Sequence, residues 1–201
     1  MRLRIKILIG LSLIAVMQTF PVHADENVKT YMDNARIAFD RADVISAVSW
    51  YRKAAELGYA PAQTRLGYLL DQYEENEEAV KWYQQAAQQG HAEAQYRLSG
   101  MYAAGEGVKQ DKEQALTWMV RAAEQQYPLA IQVLALAYEQ GELGLMVDYE
   151  QALAWLNKGV DAGDPWSIKR LIRAYQTGEL GVRIDLKRVQ SLQAKLPSDA
   201  K

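Results

Sequence analysis

The most constraining feature of this sequence is a block that recurs every 32 to 37 residues. Its anchor is a tryptophan that takes the same slot in four successive blocks and is replaced by leucine in the fifth: Trp50, Trp82, Trp118, Trp155 and Leu192. An acidic residue lies seven positions before each anchor, and a pair of small residues follows the tryptophans four and five positions later. Repeats of this length are typical of stacked helix pairs, because no single pair can bury its apolar face alone. The sequence therefore indicates a binding scaffold.

Each block contains two helical patterns. In the first, a small residue, a leucine, a second small residue and an aromatic or apolar residue share one helical face, as Ala94, Leu98, Ser99 and Tyr102 do. Small residues on that face let neighbouring helices approach closely. The spacing predicts helices over about 26–41, 43–57, 60–73, 76–89, 92–104, 111–125, 128–140, 148–162, 165–177 and 185–196. The fold class is all-α, a right-handed α-solenoid of about five antiparallel helix pairs.

The turns inside the pairs also repeat. Gly105, Gly141 and Gly178 follow first helices, where glycine suits a left-handed helix end. The second helices then begin after an aspartate that is suited to capping, namely Asp111, Asp148 or Asp185. Gln114 and Gln151 come three residues after two of these aspartates, which is the spacing of a capping box.

The segment from Ala94 to Gln126 carries all of these features and resembles the Sel-one-like repeat family, which is related to the tetratricopeptide repeat. It departs from the family pattern at Ser99, Met119 and Gln126, and the resemblance extends over about residues 43–196. The resemblance implies a scaffold or adaptor of the kind found in bacterial envelope or secretion-linked complexes. Some members carry paired cysteines and have been linked to β-lactams. This chain has no cysteine, so we do not expect that activity.

The N-terminal 24 residues have the features of a secretory signal. Three cations precede an apolar run, Ile7 to Met17, that is too short to span a bilayer, and Val22-His23-Ala24 supplies a small-residue cleavage site. We predict a cleavable signal peptide over 1–24, a divergent helix pair over 25–59, repeats over 60–91, 92–127 and 128–164, and a C-terminal repeat with its cap over 165–201. The expected location is the periplasm, with secretion left open and with no stable membrane span after cleavage.

The amino-acid composition excludes several classes of binding and catalytic site. Without the signal, the chain has 20 Lys and Arg against 25 Asp and Glu, a net charge of −5, which disfavours general nucleic-acid binding. One histidine remains, His91, so triads and zinc sites built on Cys or His are not expected. The acidic run over 71–78 is interpreted as a solvated turn and helix start, and the Gly-Glu-Gly turn at 105–107 lacks the rest of a phosphate loop. The four slot tryptophans are predicted to lie in the core. We predict no catalytic residue, cofactor or metal site.

The candidate binding surface lies on the first helices, which line the concave side of such stacks. Positions one before and two after each core leucine point away from the core, and flanking positions extend this first-helix strip. Arg beside Tyr or Trp is typical of interface hot spots, and Arg suits carboxylate capture. The predicted partner-binding residues are Arg65, Tyr68, Tyr96, Arg97, Leu136, Trp166, Lys169, Arg170 and Arg173. The expected ligand is an acidic peptide or a helix of a partner.

These features predict a non-enzymatic periplasmic scaffold or regulator that binds another envelope protein or peptide. The alternative is a cell-wall protein that binds or cleaves peptidoglycan or another glycan, which would need a pair of acidic residues facing one cavity. A self-assembling structural protein is a third reading. The last helix has a polar surface suited to capping the stack, so a monomer is favoured over open-ended assembly.

Overall fold

The computed structural model describes the backbone of residues 22–197 and the side chains from Glu26 onward. This part of the chain contains ten α-helices, one short 3-10 turn over Glu179–Gly181 and no strand. The helices are α1 Val22–Asp40, α2 Val44–Glu56, α3 Ala60–Gln72, α4 Asn76–Gln88, α5 Ala92–Ala104, α6 Lys112–Glu124, α7 Pro128–Gln140, α8 Tyr149–Asp161, α9 Pro165–Thr177 and α10 Leu186–Lys195.

Each helix packs against the helix that follows it in the chain, both within a pair and between consecutive pairs. This chain-order stacking is the arrangement of an α-solenoid, and it confirms the predicted all-α fold of helix pairs. The predicted helix bounds agree to within one residue except at α1, which begins at Val22 rather than near residue 26. Most of the predicted signal peptide, residues 1–21, lies outside the described residues. None of the described helices has the length and apolarity that a bilayer crossing requires.

The core is built from the predicted leucines and the small residues beside them. Leu66, Leu98, Leu134 and Leu171 are all fully buried. Helices approach closely where one side chain is small. A Cβ built on Gly67 would lie 2.8 Å from the Tyr83 ring. One repeat later, Ser99 and Met119 take the equivalent places and contact each other at 3.8 Å. In one repeat a glycine faces a large tyrosine, and in the next a serine faces a smaller methionine. The two facing residues therefore fill a similar space between the helices.

The tryptophan slot is less buried than predicted. Trp155 is buried, but the other three tryptophans are only half-buried. In all four repeats the residue that follows the tryptophan is buried: Tyr51, Tyr83, Met119 and Leu156. Three of the indole rings contact a basic side chain that lies one helical turn later in the sequence. The distances from the charged group to the ring centre are 4.0 Å for Lys53 and Trp50, 4.6 Å for Arg121 and Trp118, and 4.0 Å for Lys158 and Trp155. A large ring at the margin of the core is thus covered by the stem and charge of a basic side chain.

The turns follow the prediction, with one difference. Gly105, Gly141 and Gly178 end their helices in the left-handed conformation, and the aspartates cap the next helices. No capping box closes at Asp111, because its backbone N–H donates to the Tyr102 carbonyl oxygen at 2.9 Å instead. Asp148 and Asp185 bond in the same way to Tyr138 and Tyr175. This bond ties the second helix to the end of the first one.

Polar residues occupy core positions at both ends of the stack. Asn34 in α1 stands where the inner repeats bury leucine, and Gln193 in α10 stands where they bury tyrosine, methionine or leucine. Asn34 is half-buried and Gln193 is exposed. One polar residue thus stands at each end where the inner repeats have an apolar core residue.

Candidate functional site

The first-helix strip is accessible over most of its length. Beside the buried leucines, Arg65 and Arg173 are exposed, whereas Tyr68, Arg97 and Arg170 are half-buried. Of the remaining predicted residues, Lys169 is exposed, whereas Tyr96, Leu136 and Trp166 are half-buried. The buried leucines and the accessible residues beside them thus lie on the predicted faces of the first helices. Among the grooves on the described residues, three contain predicted residues.

The first groove, of about 420 Å³, runs between α1 and α3. Arg65 and Tyr68 line one wall, as predicted, and the buried ring of Tyr51 lies beside them. The other wall is α1, which the sequence analysis did not include in the strip: it contributes Met32, Asp33, Arg36 and Phe39. The signal for it was present, because Asp33 and Arg36 lie 32 residues before Arg65 and Tyr68. That distance equals the spacing of the first two tryptophans.

The second groove, of about 370 Å³, is lined by Tyr96, Arg97, Gly100 and Val133 among others. The Arg97 guanidinium lies 4.5 Å from the centre of the Tyr68 ring. Because Tyr68 lines the first groove and Arg97 the second, this stacked pair connects the two. The ring of Tyr96 packs on Tyr127 at a centroid distance of 5.3 Å. The two grooves are thus adjacent, with the Arg97–Tyr68 contact between them.

Most of the arginines on the strip are already paired with carboxylates of the chain. Arg97 contacts Glu93 at 2.9 Å. Arg170 contacts Glu139 at 2.8 Å and Glu179 at 3.1 Å, and its side chain is only 16% exposed. Arg173 contacts the same Glu179 at 3.0 Å. Arg170 therefore holds α7, α9 and the following turn together. Replacing it with glutamate would disturb the fold as well as any ligand.

Two cations of the strip remain available. In the part of the chain that the structure describes, no carboxylate lies within ion-pair distance of Arg65 or Lys169. Arg36, on the α1 wall of the first groove, is 3.7 Å from Asp33 in an exposed pair that contributes little. The second groove also contains Asp71 and Glu106, which offset its positive charge. Attraction for an acidic group is therefore concentrated in the first groove.

The predicted residues do not form one cluster. Arg65 and Tyr68 meet in the first groove, and Tyr96 and Arg97 meet in the second. Arg170 lines a third groove of about 450 Å³ with Glu139, Tyr149 and Glu179. The other four predicted residues, Leu136, Trp166, Lys169 and Arg173, line none of these three grooves. The half toward the N-terminus is thus the better-formed part of the strip.

Among the other polar groups, His91 and Glu78 have hydrogen-bond partners, whereas the Tyr83 hydroxyl has none among the described residues. His91 is half-buried with its Nδ1 2.9 Å from Thr64 Oγ1, and burial lowers the pKa of its imidazole. The Tyr83 hydroxyl is fully buried, and this desolvation raises its pKa well above the usual value. Glu78, in the acidic run, bonds to Arg52 and accepts from the Trp82 indole at 3.1 Å. Across residues 26–197, the side chains of His, Asp and Glu form no cluster of three that could hold a metal ion.

The turn at 105–107 has a packing role. Gly107 has a φ of +63°, and a Cβ there would lie 2.3 Å from the backbone of Asn76 at the start of α4. Only glycine fits both the left-handed conformation and this close approach. The Gly-Glu-Gly sequence thus brings one repeat onto the shortened turn of the repeat before it.

Comparison with known proteins gives the same picture. A family model described as Sel1 repeat matches residues 40–59, 60–91, 92–127 and 128–164. A Sel1 repeat protein from Oxalobacter formigenes superposes with a TM-score of 0.73 at 27% identity, over 89% of this chain and 72% of that one. A protective antigen of uropathogenic Escherichia coli strains that displays an SLR fold superposes with a TM-score of 0.68 at 27% identity, over 86% of this chain and 38% of that one.

A third structure, that of the MamA protein, shares the fold at 19% identity and a TM-score of 0.52, over 85% of this chain and 92% of that one. No curated protein matches the sequence significantly. The family model covers more than half of the chain, in the repeats that form α2 to α8. With the helix pairs and their caps described above, these matches show that the chain belongs to the Sel1 repeat family.

Proposed function

We propose that this chain is a non-enzymatic scaffold of the bacterial periplasm that binds a partner protein or peptide on its first-helix strip. Sel1 repeats in general serve as protein–protein interaction scaffolds. The observation that carries the more specific proposal is the stacked contact of Arg97 on Tyr68, which joins the first two grooves into one continuous surface. A continuous surface of aromatic rings and guanidinium groups is suited to an extended segment or a helix rather than to a small molecule.

The first groove is the proposed anchor point. Phe39 is 47% exposed and faces the same groove as Arg65, for which the described residues provide no ion-pair partner. An apolar side chain with an acidic neighbour would bury the phenyl ring and pair with Arg65. The second groove would then take the continuing segment against Tyr96. The proposed ligand is thus a peptide or helix with an acidic and an apolar residue close together.

The test uses variants that leave the ion pairs of the fold intact. Phe39→Ser with Arg65→Glu changes the first groove. The matched control, Ile45→Ser with Lys81→Glu, makes the same kinds of change at residues that are exposed on second helices. Tagged proteins are used to capture partners from an envelope extract, which are identified by mass spectrometry. We expect one envelope protein to be recovered with the wild type and the control and lost with the groove variant.

Two results would overturn the proposal. If the groove variant recovers the same protein as the wild type, binding does not use the first groove. If no protein is enriched but the chain is retained on purified peptidoglycan, the cell-wall reading replaces the scaffold. Compartment is tested separately by expressing the full sequence in a Gram-negative host and measuring the mass of the product in each fraction. A periplasmic product that lacks residues 1–24 is expected, and an intact cytoplasmic product would contradict the location.

A further inference from the structure

A second surface lies on the edge of the solenoid formed by the turns of the last two repeats. In the repeat over 92–127, this edge is polar, with Lys109, Gln110 and Lys112. At the equivalent positions the next two turns have apolar residues: Met146, Val147 and Tyr149 in one, Ile184 and Leu186 in the other. These five residues, the turn-edge patch, are 87%, 53%, 46%, 63% and 64% exposed, respectively. Exposed apolar residues grouped in this way mark an interaction site.

The two turns form one surface. The Tyr149 ring reaches the following turn, where a Cβ built on Gly181 would lie 4.0 Å from Tyr149 Cδ2. Val147 and Ile184 lie beside the helix-ending glycines, at 3.4 Å from a Cβ built on Gly141 and 3.7 Å from one built on Gly178. These distances place the side chains of Val147 and Ile184 next to the helix ends, on the edge of the molecule. The neighbouring Leu145 and Val182, in contrast, are half-buried.

The charges around the patch are divided between its halves. Glu142, Asp148 and Glu150 are exposed near Met146, whereas near Ile184 the exposed Arg183 and Lys187 outnumber Asp185. A surface with one acidic half and one basic half is complementary to itself under a two-fold rotation, because each half then meets its opposite twice. An anionic lipid surface would attract the basic half but repel the acidic half.

We propose that the turn-edge patch joins two copies of this chain in a two-fold symmetric dimer, with the 141–150 turn of each copy against the 178–187 turn of the other. A two-fold arrangement brings the patches of both copies into the same contact and leaves neither free, so the assembly closes at two copies. The sequence predicts a monomer from the polar surface of the last helix, and the proposed dimer replaces that expectation. The patch is separate from the first groove, so a dimer would present two ligand-binding strips.

The first test measures mass by sedimentation velocity from low micromolar to submillimolar concentration. We expect the wild type to be a dimer that dissociates on dilution. Met146→Lys with Ile184→Lys should weaken the dimer by roughly tenfold or more, since both are central apolar residues of the patch. The matched control is Ile45→Lys, because Ile45 is as exposed as Met146 but lies at the other end of the chain. This variant should leave the dimer unchanged.

A charge swap tests the two-fold arrangement itself. Arg183→Glu with Lys187→Glu should weaken the dimer, and adding Glu142→Lys with Glu150→Lys should restore it. A wild type that is monomeric at every concentration overturns the proposal, as does a dimer that none of these changes weakens. A monomer that sediments with phosphatidylglycerol vesicles, and ceases to do so in the Met146→Lys, Ile184→Lys variant, would assign the patch to a lipid surface instead. None of these readouts depends on the first groove.

Discussion

The contact between Gly159 in α8 and Ser167 in α9 provides a sharp test of how the repeats pack. In the three earlier repeats an alanine faces an alanine at this place, as Ala122 faces Ala130. Here the second helix has glycine and the following first helix has serine. A Cβ built on Gly159 would lie 2.1 Å from Ser167 Oγ and 2.6 Å from Ser167 Cβ, and both residues are buried. The pair therefore fills the space of two alanines in a different way.

Gly159→Ala alone should destabilise the protein. Overpacking a core costs about 1–3 kcal/mol, and a distance this short indicates the upper end. Alanine gains about 1 kcal/mol over glycine within a helix, so the expected net loss is about 2 kcal/mol. Ser167→Ala removes the bond from Ser167 Oγ to Asp164 Oδ2, which is 2.6 Å long, at a cost of about 1.5 kcal/mol.

The double variant recreates the alanine pair of the other repeats. Ser167→Ala removes the 2.1 Å contact with Oγ but keeps the 2.6 Å contact with Cβ, so part of the overpacking remains. Gly159→Ala should therefore destabilise the Ser167→Ala protein by about 1 kcal/mol less than it destabilises the wild type, and this difference is the coupling between the two sites. The assay is urea unfolding at pH 7, followed by circular dichroism and by tryptophan fluorescence. Equal effects of Gly159→Ala on the free energy of unfolding of the wild type and of the Ser167→Ala protein would show that Ser167 Oγ does not limit the space at Gly159.

Two further predictions concern single residues. Gln126 has a left-handed φ of +62° where three other repeats have glycine, so Gln126→Gly should raise the free energy of unfolding by about 0.5–1 kcal/mol, and a lower urea midpoint would contradict this. The hydrogen bond from Arg52, followed by that from Trp82, lowers the pKa of Glu78 from 4.5. This contribution to stability is present above about pH 4.5 and is lost as the pH falls through the folded-state pKa. The Glu78→Gln variant should therefore be less stable than the wild type at pH 7 and should lose less stability on acidification. The measurement is the urea midpoint of both proteins from pH 7 to pH 3. Midpoints that run parallel would show that Glu78 does not contribute to the pH dependence of stability.

The helices, their caps and the buried leucines could all be predicted from the sequence. These features depend on interactions within a few residues: a helical face repeats every three or four positions, and an aspartate caps a helix through amides two or three residues ahead. The repeat then supplied several independent examples of each feature. Only the start of α1 was misplaced, and it lies outside the pattern that the later repeats share.

The binding residues could be predicted as surface positions but not as a site. Arg97 and Arg170 were predicted as surface residues because their positions on the helix face away from the core. Both side chains are half-buried, which agrees with that prediction. The partners of Arg170 are 31 and 9 residues away in sequence, at Glu139 and Glu179, and they bind the guanidinium group that a ligand would need. A long side chain reaches several neighbouring helices, so its partner depends on how those helices are arranged around it.

By itself, the sequence determined the repeat, the helix bounds, the capped turns and the face of each first helix that is buried, because all of these follow from local backbone geometry and helical periodicity. Only the tertiary structure decided which of two adjacent aromatic positions is buried, which arginines are neutralised, that α1 forms a wall of the first groove, and that the turns of the last two repeats gather their apolar residues into one patch. These outcomes depend on distances between residues about one repeat apart. Such distances are set by the angle and separation at which helix pairs stack, which small side chains such as Gly67 and Gly159 control.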